Sequence, residues 1–379
     1  MDFQLSDELK LFQETLREFC RREIAPHAEK WDREEKFPRE IFSQMGKLGY
    51  LGVAFPEQYG GSDLGAMGSA LMAEELAYAS AGVAVGIYVH AFLALSAVHL
   101  FGTEKQKTKY LIPGIKGEKV GAWGFAEPQT GSDPESLKCR ALKDGRGNFL
   151  ITGQKMFITN GALADFVVLT VSLSPENKSK GLGLILVDRD TGGFSARKLE
   201  TFGVRSAETA SLFFDGCSVP EENLLGEREL GFGRIANTLT LGRIIAAGIA
   251  LGLSRAAYDS ALSYAKERVV FGKPISKNQG IRWMLADMAL KIEASRLLIY
   301  RAASAYDQGL PHLLETSMAK LYATESCTKI CEQALQIHGA AGFLMDSPAQ
   351  RFYRDCKLLE IGEGTTQIQR DLIGELLGV

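Results

Sequence analysis

The chain has 379 residues, 46% of them hydrophobic, and its 43 lysines and arginines nearly balance its 46 aspartates and glutamates. This length predicts two to three domains with a large buried core. The formal net charge of -3 argues against nucleic acid as the main partner, because a polyanion is bound through a strongly basic surface.

The N-terminus is acidic and lacks the basic and apolar regions of a signal peptide. No apolar run approaches the roughly 20 residues of a membrane span, so we expect a cytoplasmic protein that binds no membrane. The six cysteines are scattered, as is typical of a reducing compartment. Cys327 and Cys331 share a helix face without further ligands, so we predict buried thiols and no metal.

Residues 1–120 have the pattern of a helical domain. Ser6 can cap a first helix, whose apolar residues recur at helical spacing: Leu5, Leu9, Phe12, Leu16 and Phe19. An apolar helical stretch with little charge follows from residue 68 to residue 101, and this composition predicts burial inside a bundle.

From residue 121 to residue 225 short apolar runs alternate with turns. The segment 144–148 reads DGRGN and predicts a hairpin connection. No long helical pattern separates the runs, which indicates an antiparallel sheet or barrel. The predicted strands cover 149–152, 166–171, 182–187 and 211–214.

The helical period returns in residues 226–379, with predicted helices at 243–269, 281–306, 313–337 and 346–359. The segment 231–236 reads GFGRIA and fits the glycine spacing of a dinucleotide-binding turn. No strand precedes it and no βαβ pattern surrounds it. We therefore interpret it as a loop leading into the helical C-terminal domain.

Two polar segments flank the start of the β region. Residues 125–133 read FAEPQTGSD, a composition that suits an ordinary surface turn or a loop whose N–H groups and Ser132 hydroxyl bind a polar ring. Residues 155–161 read KMFITNG, a strand followed by an Asn-Gly turn. Phe157 alone would be more typical of a core.

Three further segments lie in the helical C-terminal region. Arg268, after a long helix, can satisfy helix carbonyls or bind a pyrophosphate. Residues 336–343 read QIHGAAGF, where a structural role for His338 is favoured. Residues 361–366 read IGEGTT. The glycines on both sides of Glu363 let a ligand approach the backbone, and the Glu363 carboxylate can then abstract a proton from that ligand. Without such a setting, a lone glutamate is usually a solvated surface residue.

These five segments, in this order, resemble the motifs of acyl-CoA dehydrogenases over nearly the whole chain. The resemblance implies an α+β, mainly α fold with an N-terminal helical domain (1–120), a middle antiparallel β-barrel (121–225) and a C-terminal four-helix bundle (226–379). It further implies FAD as cofactor, an acyl-CoA substrate, a homotetramer, and an electron-transferring flavoprotein as acceptor.

The resemblance assigns roles to individual residues. Glu363 is the expected base. Two positions depart from the family pattern, namely Ala126, where Thr or Ser is usual, and Ala340, where a second Gly is usual. The expected cofactor-binding residues are Phe125, Ala126, Ser132, Phe157, Thr159, Arg268, Phe271, Gln279, Gln336, Gly339, Ala340, Thr365 and Gln367. The expected substrate-binding residues are Ser132, Tyr88, Arg243, Gly362 and Gly364.

The implied reaction removes the α-proton to Glu363 and the β-hydrogen as hydride to flavin, giving a trans-2-enoyl-CoA. Some relatives place the base one residue before the arginine that matches Arg243. In this chain that position is Gly242, which cannot act as a base, so Glu363 is the single candidate that the resemblance offers. Gly362 replaces the Tyr of many straight-chain enzymes, which favours a short branched or alicyclic acyl group over a short straight chain. An oxidase that uses dioxygen and a low-turnover flavoprotein scaffold remain alternatives.

Overall fold

The computed structural model describes residues 5–228 and 230–379, so the expectation about the first residues of the chain lies outside the described part. Ser6 caps the first helix as predicted, because its hydroxyl accepts a hydrogen bond from the N–H of Leu9 at 3.3 Å. The N-terminal helices are α1 (Asp7–Phe19), α2 (Ala28–Glu34), α3 (Glu40–Lys47), α4 (Gly65–Ala79), α5 (Ala81–Tyr88), α6 (Ser96–Phe101), α7 (Glu104–Gln106) and α8 (Ile112–Ile115).

The apolar stretch predicted from residue 68 to residue 101 is interrupted at Ser80. Ser80 is extended (φ -160°, ψ 113°), and its hydroxyl accepts a hydrogen bond from the N–H of Val83 at 3.4 Å. A π-helical segment, Val89–Leu95, then joins α5 to α6. Such segments are common at functional sites, and this one begins directly after Tyr88.

Two helical stretches, Ala81–Phe101 and Gly231–Glu267, are long and apolar enough to cross a membrane. The expectation that no stretch reaches this length was therefore wrong. The most apolar part of the first is 100% buried inside the protein and that of the second 83%. Burial in the core accounts for their composition, because a helix surrounded by other elements is apolar on all sides.

The middle region forms one eight-stranded sheet in the order β6-β7-β3-β2-β4-β5-β8, with β1 added beside β4. The pairings are mainly antiparallel, as predicted, and the predicted hairpin joins β2 to β3. Two contacts with β4 are parallel, from β1 and from β2. The strands are β1 (Gly121–Gly124), β2 (Arg140–Lys143), β3 (Asn148–Ile158), β4 (Phe166–Ser172), β5 (Leu182–Asp188), β6 (Phe194–Lys198), β7 (Ala210–Pro220) and β8 (Leu224–Leu225).

The C-terminal helices pack around α9 (Gly231–Glu267), which also contacts α4 of the N-terminal region. Because α9 begins at Gly231, the interpretation of 231–236 as a loop was wrong; the buried Ile235 anchors its first turns to the core. A short hairpin of β9 (Val269–Val270) and β10 (Lys273–Pro274) follows. The remaining helices are α10 (Gln279–Asp307), α11 (Leu313–His338), α12 (Pro348–Ile361) and α13 (Thr366–Leu377).

Candidate active site

Glu363 lies in the tight turn between α12 and α13. The N–H of Gly362 bonds the carbonyl of Leu358 at 2.8 Å, which closes α12, and the Thr365 hydroxyl accepts the N–H of Ile368 at 3.3 Å, which caps α13. Glu363 has a φ of 58°, a left-handed conformation that costs about 1–3 kcal/mol for a residue with a side chain. Such strain persists only where the surrounding structure imposes it.

The Glu363 side chain faces residues from two other elements, Tyr88 at the end of α5 and Gly242 in α9. A Cβ atom added to Gly242 would lie 3.0 Å from Glu363 Oε2 and 2.8 Å from Tyr88 Oη. The contact with Tyr88 is shorter than a Cβ tolerates and the contact with Glu363 is tight, so a side chain at position 242 would force one of these groups to shift. Positions 242 and 363 therefore approach the same point, although they are far apart in the sequence.

Burial sets the electrostatics of this cluster. Burial raises the pKa of Glu363 above its ordinary value, although the Tyr88 hydroxyl and the charges of Arg243 and Lys320 act to lower it. Burial likewise lowers the pKa of Arg243, against the influence of Glu363 and Tyr88. A carboxylate whose pKa is shifted toward neutrality is suited to accept a proton during turnover.

Three polar atoms of this cluster are buried without a hydrogen-bond partner: Glu363 Oε2, Tyr88 Oη and Arg243 Nε. Tyr88 is close enough to influence the pKa of Glu363, but the two groups fall outside hydrogen-bond geometry. An unpaired buried polar group costs about 1–3 kcal/mol. Three such groups around one point indicate a site built to receive a ligand.

The two polar segments of the β region lie side by side. The N–H of Met156 bonds the carbonyl of Ala126 at 2.9 Å, and Lys155 Nζ donates to the carbonyl of Phe125 at 2.8 Å. Lys155 also forms a buried ion pair with Glu127, with 2.9 Å between Nζ and Oε1. The sequence reasoning missed this pair; a single acidic residue near the start of one segment and a basic residue at the start of the other were the available signal.

Phe157 lies in a β-bulge with a left-handed backbone. The pairing of β3 with β7 shifts register between Lys155 and Ile158, and in this bulge Phe157 adopts a φ of 64°. Phe157 is 61% exposed. An exposed aromatic residue two positions before the half-buried Thr159 fits a planar, polar ring system such as the flavin of FAD.

Asn160 connects this segment to the cluster around Glu363. Asn160 is buried, and its Nδ2 donates to the carbonyl of Gly86 in α5 at 2.8 Å, close in sequence to Tyr88. The turn that carries Phe157 and Thr159 is thereby tied to the helix that carries Tyr88. The sequence reasoning had treated Asn160 only as a turn residue.

The remaining expected cofactor residues lie on the surface of the helical C-terminal region. Phe271 is 97% exposed at the tip of the β9–β10 hairpin. Thr365 is half-buried in the turn of Glu363; the others of this group are exposed, namely Arg268, Gln279, Gln336, Gly339, Ala340 and Gln367. Within this chain the exposed residues are not part of the cluster around Glu363, and their role in binding the cofactor stays a prediction.

His338 has a structural environment. Its Nδ1 bonds the carbonyl of Ala334 at 2.8 Å, its Nε2 bonds the hydroxyl of Ser260 at 3.2 Å, and its ring stacks on Tyr264. Cys327 and Cys331 are buried with 3.9 Å between their sulfur atoms. Within residues 5–228 and 230–379, no group of three or more His, Cys, Asp or Glu side chains could hold a metal ion.

Comparison with known proteins covers the whole chain. Family models of the acyl-CoA dehydrogenase N-terminal, middle and C-terminal domains match residues 6–118, 122–217 and 229–378. A probable acyl-CoA dehydrogenase of Bacillus subtilis, YngJ, is 39% identical over 100% of both chains.

Two solved structures superpose closely on this chain. The butyryl-CoA dehydrogenase of Megasphaera elsdenii has a TM-score of 0.97 at 35% identity, covering 100% of both chains. A chain from a study of the electron transferring flavoprotein of Acidaminococcus fermentans, concerned with electron bifurcation, has a TM-score of 0.97 at 36% identity, covering 100% of this chain and 99% of that one.

Proposed function

Since this chain belongs to the acyl-CoA dehydrogenase family, whose members are FAD-dependent oxidoreductases, we propose that it oxidises a short acyl-CoA to the 2-enoyl-CoA with Glu363 as the base. The observation that carries this proposal is the buried carboxylate of Glu363, held on a strained turn with its pKa raised by burial. Tyr88, Gly242 and Arg243 surround it.

The reaction requires a base that is shielded from water and lies near groups that stabilise negative charge. A C–H bond next to a thioester is weakly acidic, so its removal needs a positioned base and stabilisation of the developing enolate oxygen. When bound, FAD supplies the hydride acceptor. Glu363 accepts the α-proton, and its backbone N–H, which lies beyond the last residue of α12, binds the thioester oxygen.

We expect the acyl group to be short and branched or alicyclic. Gly362 leaves open space beside the reacting carbons, whereas Tyr88 closes the site on the side of α5. Leu93 adds to this wall, because its Cδ2 lies 3.4 Å from a Cβ placed on Gly242. A short straight chain is the second candidate, favoured by the similarity to a butyryl-CoA dehydrogenase.

The CoA part of the substrate has a candidate position next to the Ser132 loop. A cavity of about 330 Å³ is lined on one side by Pro134 and Glu135, which follow this loop, and on the other by basic side chains. Three basic residues line the cavity, Lys138, Arg140 and Lys178. Lys178 pairs with Glu135 at 3.5 Å, so Lys138 and Arg140 supply the net positive charge that suits the phosphates of CoA. The backbone N–H of Lys138 bonds Glu127 at 2.8 Å, which ties this wall to the flavin-facing segment.

The proposed assembly is a cytoplasmic homotetramer that passes electrons to an electron-transferring flavoprotein. Trp283, Leu290 and Leu297 lie seven residues apart on α10 and are all exposed, as is Phe271. Large apolar side chains in a row are typical of a surface that another copy covers. Stoichiometric peroxide formation in air would favour an oxidase instead, and bound flavin without turnover would favour a scaffold.

The test is an anaerobic titration of the FAD-loaded protein with a panel of acyl-CoAs. We expect isobutyryl-, 2-methylbutyryl- or cyclohexanecarboxyl-CoA to bleach the flavin faster than butyryl-CoA does. The Glu363→Gln variant should bind FAD and acyl-CoA but lose flavin reduction by a factor on the order of 10³. Glu375→Gln, an exposed carboxylate on α13, is the matched control. Full activity of Glu363→Gln would overturn the assignment.

A further inference from the structure

A buried lysine lies beneath the turn that carries Glu363. Lys320, in the middle of α11, is fully buried. Its Nζ donates a hydrogen bond to the carbonyl of Gly364 at 2.7 Å and a longer one to the carbonyl of Glu360 at 3.4 Å. The side chain therefore reaches from the helical bundle to both sides of the candidate base.

Gln369, on α13, completes this support. Gln369 is also fully buried, and its Nε2 donates to the carbonyl of Glu363 at 3.0 Å and to that of Gly364 at 3.2 Å. The carbonyls of residues 360, 363 and 364 are thus bound by two side chains from separate helices. This support holds Glu363 and Gly364 in left-handed conformations, with φ values of 58° and 84°.

A charged donor is not needed to hydrogen-bond these carbonyls, since the neutral amide of Gln369 also donates to two of them. Burying an ammonium costs several kcal/mol. A buried lysine is therefore expected to lie near a negatively charged group that offsets this cost. Four charged groups act on Lys320: Glu363 from the turn, Arg243 from α9, Glu360 from α12 and Glu325 from α11 itself.

Among these groups Glu363 has the largest favourable influence on the ammonium. Burial lowers the pKa of Lys320 to about 8, and the charge of Glu363 acts against this shift more than Glu360 or Glu325 does. Reciprocally, the Tyr88 hydroxyl, Arg243 and then Lys320 act to lower the pKa of Glu363, against the effect of burial. The ammonium and the candidate base are therefore electrostatic partners without a direct hydrogen bond.

We propose that Lys320 is a positioning residue for the dehydrogenation: its ammonium fixes the turn that carries Glu363 through the carbonyls of Gly364 and Glu360, and together with Arg243 it supplies the positive charge that favours the ionised carboxylate, ready to accept the α-proton. The inference rests on the proposed role of Glu363 as base. In this proposal the charge of Lys320 contributes to catalysis, whereas the hydrogen bonds of Gln369 only hold the turn in its conformation.

The test separates charge from geometry with four variants of the FAD-loaded protein. Lys320→Met removes charge and donor, Lys320→Gln removes the charge but keeps a donor, Gln369→Met removes a neutral donor, and Lys329→Met removes an exposed charge from the same helix as a control. The ionisation of Glu363 is followed by its protonated-carboxyl infrared band, which Glu363→Gln identifies, and flavin reduction is followed over pH.

Both Lys320→Met and Lys320→Gln should move the titration of Glu363 upward by about one pH unit. Flavin reduction should slow most at pH values below that titration, by up to about tenfold, because one unit of pKa is a factor of ten in the ionised fraction there. Gln369→Met should slow reduction without moving the titration, and Lys329→Met should change neither. Thermal unfolding of each variant shows whether it is folded. If Lys320→Met does not fold, Lys320→Gln alone tests the effect of removing the charge.

An unchanged titration of Glu363 in Lys320→Gln would overturn the counter-charge role. The infrared titration needs no substrate, so it reports on Lys320 even if no acyl-CoA reduces the wild-type flavin. In that case the proposed function fails, while the electrostatic link between Lys320 and Glu363 is still decided by the spectrum.

Discussion

Lys155 Nζ lies 2.9 Å from Glu127 Oε1 in the interior of the sheet region, with both side chains at most 2% exposed. The Glu127 carboxylate also accepts the N–H groups of Lys138 and Cys139. Although burial acts to raise the pKa of Glu127, Lys155 and these N–H groups hold it below its ordinary value. The ion pair joins the two segments expected to contact the flavin.

Lys155→Met should destabilise the protein by about 3–5 kcal/mol, because it leaves the Glu127 charge buried and unpaired. A second change, Glu127→Leu, should recover part of this loss by removing that charge. Chemical denaturation of the single and double variants measures both effects. Lys105→Met, which breaks the exposed pair with Glu222, should cost less than about 1 kcal/mol. Equal losses in the two single lysine variants would contradict the role of burial.

Phe157→Gly should separate stability from cofactor binding. The left-handed backbone at Phe157 is costly for an aromatic residue and free for glycine. We expect the FAD-free variant to be as stable as the wild type or up to about 1 kcal/mol more stable, and to bind FAD at least tenfold more weakly. Denaturation and flavin fluorescence titration measure the two quantities.

The control for this change is Phe213→Gly, at a regular position on β7. This variant should lose about 1 kcal/mol and keep its affinity for FAD. Wild-type FAD affinity in Phe157→Gly would show that the exposed ring has another partner.

Gly242→Ala should slow the reaction by contact alone. Its Cβ would come within 3.0 Å of both Tyr88 Oη and Glu363 Oε2, so one of these groups must shift by a few tenths of an ångström. A displacement of about 1 Å in a catalytic group costs on the order of 100-fold in rate, so anaerobic flavin reduction should slow, by less than this factor. Gly233→Ala, in the same helix with open space around it, should retain the wild-type rate.

His90 should make the stability depend on pH below neutrality. Its Nδ1 accepts the N–H of Gly121 at 3.0 Å and its Nε2 bonds the carbonyl of Gly114 at 3.1 Å, so the ring is neutral with its proton on Nε2. Burial lowers the pKa of His90 to about 4, whereas an unfolded histidine titrates near about 6.5. Between these values the unfolded chain binds the proton and the folded protein does not.

His90 therefore contributes stability that is complete above pH 6.5 and falls as the pH drops toward 4, by about 3 kcal/mol in all. Asp355 acts in the opposite sense, because burial raises its pKa to about 6 and the folded protein takes up a proton first. Denaturation at pH 7, 5.5 and 4.5 should show a flatter profile for His90→Gln than for the wild type. His27→Gln, at an exposed position, is the matched surface control.

Local chemistry explains how far the sequence alone could predict the fold. The Ser6 cap, the hairpin at 144–148 and the helical period of α10 and α11 are short-range features, and the structure contains all of them. The motifs around Glu363 and Phe157 were recognisable for the same reason, since a family pattern is a string of neighbouring residues. The domain limits at residues 120 and 225 and the roles of the individual site residues stay predictions.

The sequence by itself determined the order of helical and β regions, the turn that carries Glu363, and the segments that resemble one enzyme family, because each depends on residues close together in the chain. Only the tertiary structure decided what surrounds the carboxylate. Tyr88 and Lys320 reach Glu363 from remote helices, and whether an oxygen is buried, charged or unpaired depends on packing among segments whose separation in sequence carries no local signal.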